Sequence, residues 1–262
     1  MYSTGIIVQN ERIAELTFRL ALETEERLPL VNAGQFAMLR LPRRSDPLLG
    51  RPLAVYRCTE HRLEVVYLVV GKMTERLAEQ QNGNTLEFWL PLGNGFPEST
   101  AEHTIMVAGG IGQTPFLMLA EKRDLQNPAR YTLLYGARTK SRIACMDDFR
   151  RTGIDVRIAT DDGSEGHHGF STDLIERVYR PGESTRLLCC GPKPMLYVVF
   201  KIAEKLGLPC YVSLETPMSC GLGICYGCVV KYKDNPDTDE WDYRRTCKDG
   251  PVFNAYRLRW DD

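Results

Sequence analysis

Four of the nine cysteines, Cys220, Cys225, Cys228 and Cys247, fall in the last fifty residues of the 262-residue chain. The first three are spaced C-x4-C-x2-C and the fourth stands downstream, the pattern of plant-type [2Fe–2S] ligands. A loop wrapped round two irons must offer three thiolates without colliding with the inorganic sulfides. Gly221, Gly223 and Gly227 permit that close approach. The competing chemistry is a four-thiolate zinc site holding an interaction surface, although zinc usually takes its ligands as two short pairs on separate knuckles. The other five cysteines, Cys58, Cys145, Cys189, Cys190 and Cys210, lie in apolar or helical contexts and read as buried free thiols.

Two glycine turns are the next candidates. Gly109, Gly110 and Gly112 follow an apolar strand and open a helix, with Thr114 and Pro115 in its first turn. Such a turn lets a backbone approach a pyrophosphate at a helix N-terminus. It also occurs as a plain packing device. Gly191 and Pro192, after Cys190, form a second strand-to-helix turn expected on the same sheet edge. A third candidate is Arg51, between Gly50 and Pro52, because a guanidinium fork suits phosphate. Glu215, at the predicted junction with the cysteine-rich segment, is either a carboxylate that faces a bound ligand or a solvated surface acid.

The elements that must position these residues change character along the chain. Residues 13–20, 35–41, 63–70 and 85–90 read as short strands, separated by turns such as Pro42-Arg43-Arg44 and Asn82-Gly83-Asn84, with one helical patch at 73–80. Strands at this spacing predict a small antiparallel barrel. From Thr104 onward, apolar strands at 104–108, 131–135, 155–160 and 186–190 alternate with helices at 116–121, 145–150, 172–179 and 195–206. That rhythm predicts a parallel sheet with helices on its faces. The expected organisation is a barrel over 1–99, an α/β domain over 100–212 and a cluster module over 213–262, with 233–240 as a polar loop.

Composition narrows the class. The net charge of −1 offers no basic surface for nucleic acid, and no run nears the ~18 apolar residues of a membrane span. The first ten residues lack a basic stretch followed by an apolar core, so a cytoplasmic location is expected.

Taken in order, the motifs resemble the ferredoxin–NADP reductase-like superfamily, and within it the family of class 1B dihydroorotate dehydrogenase electron-transfer subunits. The resemblance spans essentially the whole chain. It is carried by Arg51-Pro52-Leu53-Ala54, Pro91 through Pro97, Gly109 through Pro115, Ala159 through Gly166, Cys190 through Met195, and Cys220 through Cys228 followed by Cys247 through Phe253. It implies FAD contacts at Arg51, Pro52, Leu53, Ala54, Val66, Tyr67, Leu68, Met73 and Thr74. The sequence departs from the family pattern at three of these: Ala54 stands for a serine, Leu68 for an arginine and Met73 for a glycine.

The activity implied is hydride exchange between NAD(H) and FAD, coupled to single-electron exchange with a [2Fe–2S] cluster. The partner implied is an FMN-containing dihydroorotate dehydrogenase catalytic subunit, in a heterotetramer serving pyrimidine biosynthesis. Asp161 or Asp162 is placed to hydrogen-bond an adenosine ribose, or to cap the turn before Gly163. Arg138, Lys140 and Arg142 would instead suit a 2′-phosphate. A rival with the same architecture is the flavin subunit of an NADH-dependent ferredoxin–NADP transhydrogenase.

Overall fold

The computed structural model describes residues 1–42, 46–122 and 129–260. Arg43 and Arg44 of the expected turn after Pro42 lie outside them. Six strands close a barrel in the order β1 (Tyr2–Ala14), β2 (Thr17–Glu23), then β5, β4, β3 and β6, these last being Phe36–Arg40 (β3), Arg51–Cys58 (β4), Arg62–Leu68 (β5) and Thr85–Leu92 (β6). All the pairings are antiparallel. Inward residues such as Ile7, Leu20, Leu39, Val55, Leu63 and Phe88 fill the interior. Helix α1 (Lys72–Ala78) closes one end through Met73 and Leu77.

The second sheet has seven strands. Parallel β7 (His103–Gly109), β8 (Arg130–Ala137), β9 (Asp155–Thr160), β10 (His167–His168), β11 (Thr185–Cys190) and β12 (Cys210–Ser213) run in the order β10-β9-β8-β7-β11-β12. Strands β7 and β11 are buried along nearly their whole length, which is why they read as continuous apolar runs. Helices α2 (Leu117–Glu121) and α3 (Met146–Arg151) cover the barrel side, while α4 (Ile175–Val178) and α5 (Lys193–Leu206) cover the other. In the cysteine-rich segment, β13 (Val229–Tyr232) and β14 (Asp242–Arg245) form a hairpin round the polar loop. Strand β15 (Val252–Asn254) returns to the large sheet antiparallel to β12.

Several local expectations are corrected. Residues 13–20 are two strands meeting at a hairpin, because Leu16 adopts a left-handed backbone (φ 55°) that no glycine or proline announces. The first glycine turn opens a 3-10 helix, Gly110–Phe116, so Pro115 lies late in that turn rather than in the first turn of α2. The stretch 172–179 divides likewise into a 3-10 turn, Ser171–Leu174, and α4.

Candidate functional site

The cluster loop is built for sulfur ligands. Gly221 (φ +69°), Gly223 (φ +79°) and Tyr226 (φ 55°) all take left-handed backbone, folding the loop tightly enough to bring the thiols together. The Leu222 amide lies 3.3 Å from Cys220 Sγ, and the Cys247 amide 3.5 Å from Cys228 Sγ. Burial opposes ionisation of Cys220, but the amides of Cys225, Leu222 and Ile224 outweigh it and bring the thiol down to about 6. Cys247 is pushed up to about 12 by burial and by the adjoining Cys228 thiol.

Cys220 interacts with Cys225, and Cys247 with Cys228 and more weakly with Cys220. Among the described residues, no three histidine, cysteine or acidic side chains converge as for a single metal ion. The residues that match the cluster-binding pattern are these four cysteines, whose C-x4-C-x2-C spacing suits two irons taking two thiolates each. Thr246, wholly buried beside Cys247, has a hydroxyl without a hydrogen-bond partner among the described residues, a donor to spare for a sulfur acceptor.

The proposed flavin residues divide into two groups. Val66, Tyr67, Met73 and Thr74 are buried. The Tyr67 hydroxyl donates to Asn10 at 3.0 Å, and the Thr74 hydroxyl accepts from the amides of Val70 and Gly71. These side chains serve the barrel itself. Arg51, Pro52, Leu53, Ala54 and Leu68 remain partly accessible. Arg51 Nη1 folds back onto the carbonyls of Leu49 and Gly50 at 3.1 and 3.0 Å. No carboxylate pairs with it among the described residues, so its charge is open to a phosphate. Ala54 stands opposite Phe36 on β3, and Phe36 packs in one small apolar cluster with Cys228 and Cys247. Ala54 and the Cys228 and Cys247 thiols are therefore separated by one strand, whereas Leu68, on β5, lies a further strand away.

The two glycine turns meet on adjacent strands, β7 and β11. A Cβ on Gly112 would stand 2.1 Å from the Cys190 carbonyl oxygen, and one on Gly109 would meet Met195 at 2.7 Å. Those glycines are required to pack one turn on the other. Gly110 (φ +56°) is exposed and faces open space. The Thr114 hydroxyl is spent on the Ile111 carbonyl at 3.0 Å. Asp162 caps its own turn through the Ser164 amide at 3.0 Å, whereas Asp161 is exposed. Lys140 and Arg142 are held by Glu165 and Glu15, at 3.0 and 2.8 Å; Arg138 is exposed.

Gly191, Pro192 and Glu215 line one cleft of about 520 Å³, with Leu214, Tyr243 and Trp260 on its other walls. None of the barrel's flavin candidates borders it. Glu215 keeps an exposed face there, yet surrounding protein raises its pKa. Cys190, read from sequence as a buried thiol and as the start of the Cys190-to-Met195 motif, lies near that carboxylate and Ser213, and is pushed up to about 12 by burial and then by Glu215. Its sequence signal was its place beside Gly191.

Comparison with known proteins fits this arrangement. Residues 215–259 match the iron–sulfur cluster binding domain of dihydroorotate dehydrogenase B, and residues 106–201 an oxidoreductase NAD-binding domain. The dihydroorotate dehydrogenase B (NAD+) electron transfer subunit of Clostridium acetobutylicum is 33% identical over 262 residues, covering 100% of this chain and 98% of the relative. That of Bacillus caldolyticus is 36% identical over 255 residues, 95% of each chain. The chain belongs to this family of electron transfer subunits. Members of the family are oxidoreductase components, and this one carries the nucleotide and cluster domains on a flavin-reductase fold.

Among solved structures, a chain of an NADH-dependent reduced ferredoxin–NADP oxidoreductase superposes with TM-score 0.85 at 28% identity, over 98% of this chain and 90% of that one. The cytochrome b5 reductase domain of Ulva prolifera nitrate reductase shares the fold, with TM-score 0.67 at 20% identity over 79% of this chain and 94% of that one. Among the described residues no helix is long and apolar enough to cross a membrane.

Proposed function

We propose that this electron transfer subunit exchanges electrons between NAD(H) and an FMN-containing dihydroorotate dehydrogenase catalytic subunit, in a cytoplasmic heterotetramer serving pyrimidine biosynthesis. Arg51 would hold the FAD pyrophosphate, with Pro52, Leu53, Ala54 and Leu68 against the rest of the cofactor. Cys220, Cys225, Cys228 and Cys247 would ligate the [2Fe–2S] cluster. Gly109, Gly110, Gly112 and Thr114 form the nucleotide turn, with Asp161 toward the adenosine ribose and Gly191, Pro192 and Glu215 toward the nicotinamide.

When bound, the flavin supplies the conversion between a hydride's electron pair and single electrons. The residues of this chain position and insulate. Burial raises the pKa of both Glu215 and Cys190, with Glu215 adding to the rise at Cys190, so each favours its neutral form more than it would in water. The observation that supports the reading is the packing of Phe36, the cross-strand neighbour of Ala54, against Cys228 and Cys247, which would bring a cluster held by those cysteines close to the proposed cofactor residues of β4. The exposed loop residues Leu222, Ile224 and Tyr226 offer an apolar crown for the catalytic subunit.

The decisive experiment is Cys225→Ser in the complex with its catalytic subunit. NADH-to-dye activity should persist while electron exchange with the partner falls at least tenfold. Retention of both activities would contradict the relay. A native complex with an FMN-containing partner supports this reading, whereas a large multi-cluster partner would favour the transhydrogenase alternative.

A further inference from the structure

The cluster loop is held from outside by a chain of polar contacts that the ligand set does not require. Arg245 Nη1 donates to the Gly223 carbonyl at 3.1 Å, and its guanidinium lies 5.2 Å from the centre of the Tyr226 ring. Both partners belong to the loop between the first and third ligand cysteines. Asp249 fixes the guanidinium in return, accepting from Arg245 Nε at 3.1 Å and from the Arg245 amide at 2.8 Å. Behind Asp249 stands Asn94 of the barrel's Pro91-to-Pro97 turn. Asn94 Nδ2 donates to the carbonyls of Asp249 and Val252 at 3.2 and 2.9 Å, and its Oδ1 accepts from the Val252 amide at 2.9 Å. Its own amide donates to Gly250 at 2.6 Å.

The guanidinium thus has two neighbours of opposite consequence. On one side it holds the cluster loop through the Gly223 carbonyl and the Tyr226 ring, and on the other it is balanced by the Asp249 carboxylate. Arg245 is also the cation fixed by a carboxylate; Lys248, beyond it, lays its aliphatic stem against Gly223. Reduction adds one negative charge to an iron–sulfur cluster, so a cation fixed on the loop that carries the ligands stabilises the reduced form. Net charge and hydrogen bonding near the sulfurs are established determinants of such potentials.

We propose that Arg245 is a positioning residue that sets the reduction potential of the cluster through its charge, with Asp249 as its counterweight and the Asn94 clasp fixing both to the flavin barrel. This rests on the four-cysteine ligand set proposed above. Arg245 also braces the loop carbonyl, so charge and shape must be separated in the test.

The experiment is an EPR-monitored redox titration of the full-length protein, with iron and acid-labile sulfide measured on each sample. In Arg245→Gln the oxidised-to-reduced ratio at a fixed solution potential should rise about tenfold, equivalent to about 59 mV for one electron. Arg245→Lys keeps the charge and should stay within about threefold of wild type. Asp249→Asn keeps the shape and removes the counterweight, so the ratio should fall by about threefold or more. Glutamine and lysine variants that shift equally would assign the effect to loop geometry and overturn the proposal. So would an Arg245→Gln protein with wild-type iron and sulfide and an unmoved potential. Should Arg245→Gln not retain its cluster, Asp249→Asn decides alone: a shift toward reduction supports the proposal and no shift overturns it. Wild-type protein lacking acid-labile sulfide would sink the ligand set itself, whereas intact sulfide with an immovable potential sinks only the role of Arg245.

Discussion

The barrel meets its two neighbours through seams of opposite chemistry. Against the nucleotide domain the seam is ionic. Tyr56 on β4, wholly buried, donates to Asp148 of α3 at 2.7 Å; Arg19 on β2 bridges Asp148 at 3.0 Å and Glu64 at 2.5 Å; and Arg57 on β4 pairs with Glu121 of α2. Arg19 and Arg57 also flank the Tyr56 ring, at 5.3 and 5.8 Å. Against the cluster module the polar contacts are neutral amides, through Asn94, and bare backbone, beside the small apolar contact of Phe36 and Leu92 with Met218, Cys228 and Cys247. A Cβ on Gly93 (φ +67°) would stand 2.6 Å from the Gly250 carbonyl oxygen. The ionic seam joins two units each with its own core, and charge pairs fix their register. The amide seam joins a barrel to a segment with little core of its own, where backbone must seat on backbone.

The largest effect expected from breaking this comparison is at Asp148. Asp148→Ala strands the buried Tyr56 hydroxyl and one face of Arg19 and should cost about 3 kcal/mol, read by urea unfolding. The effect should appear without loss of cluster iron. A cost under about 1 kcal/mol would show that the seam is held by its apolar contacts instead. Asn94→Ala leaves the Val252 amide and two carbonyls unpaired, for about 1–3 kcal/mol. There the signature should be faster iron loss to a chelator, with nucleotide affinity unchanged; equal loss rates in both variants would erase the distinction.

Acid sharpens the same contrast with a smaller effect. Burial works to raise the pKa of both Asp148 and Glu64, but the Tyr56 hydroxyl and Arg19 at the first, and Arg19 and Arg62 at the second, outweigh it and lower both. Carboxylates lowered on folding contribute stability that is complete above their unfolded values. It is lost only as pH falls through the lowered folded ones. The ionic seam should therefore hold steady from neutrality to pH 5 and lose on the order of 1 kcal/mol below about pH 4. The Asn94 amide contacts themselves carry no titrating group. Burial works to raise the pKa of the carboxylate beside them, Asp249, but Arg245 outweighs it and holds it below the usual carboxylate range, so this seam should respond less than the ionic one. Backbone amide shifts of Tyr56 and Val252, followed by NMR down the pH scale, would separate the two; a Val252 shift that tracks Tyr56 would contradict it.

Sequence legibility follows the same divide. The parallel sheet was readable because β7, β8 and β11 are apolar nearly throughout, and the cluster loop because its spacing is set by covalent chemistry. The hairpin at Leu16 was not readable, since a leucine there gives no turn signal. Strand β15 is three residues long inside a segment whose cysteines and glycines dominate the pattern. Neither seam was visible either: Tyr56 and Asp148 are 92 positions apart, Asn94 and Val252 158, and nothing local marks either pair. The resemblance placed Tyr67 and Thr74 among the flavin contacts, and the hydrogen bonds that engage their hydroxyls within the barrel are tertiary facts that no local pattern shows.

The return of β15 to the large sheet has a consequence for how the polypeptide can be damaged. Without those residues β12 would be a bare margin, its amides and carbonyls on one side offered to any other extended chain. A cut before Val252, or a loop sprung open when its irons are stripped, would therefore do more than silence electron flow: it would expose a sticky rim and invite aggregation.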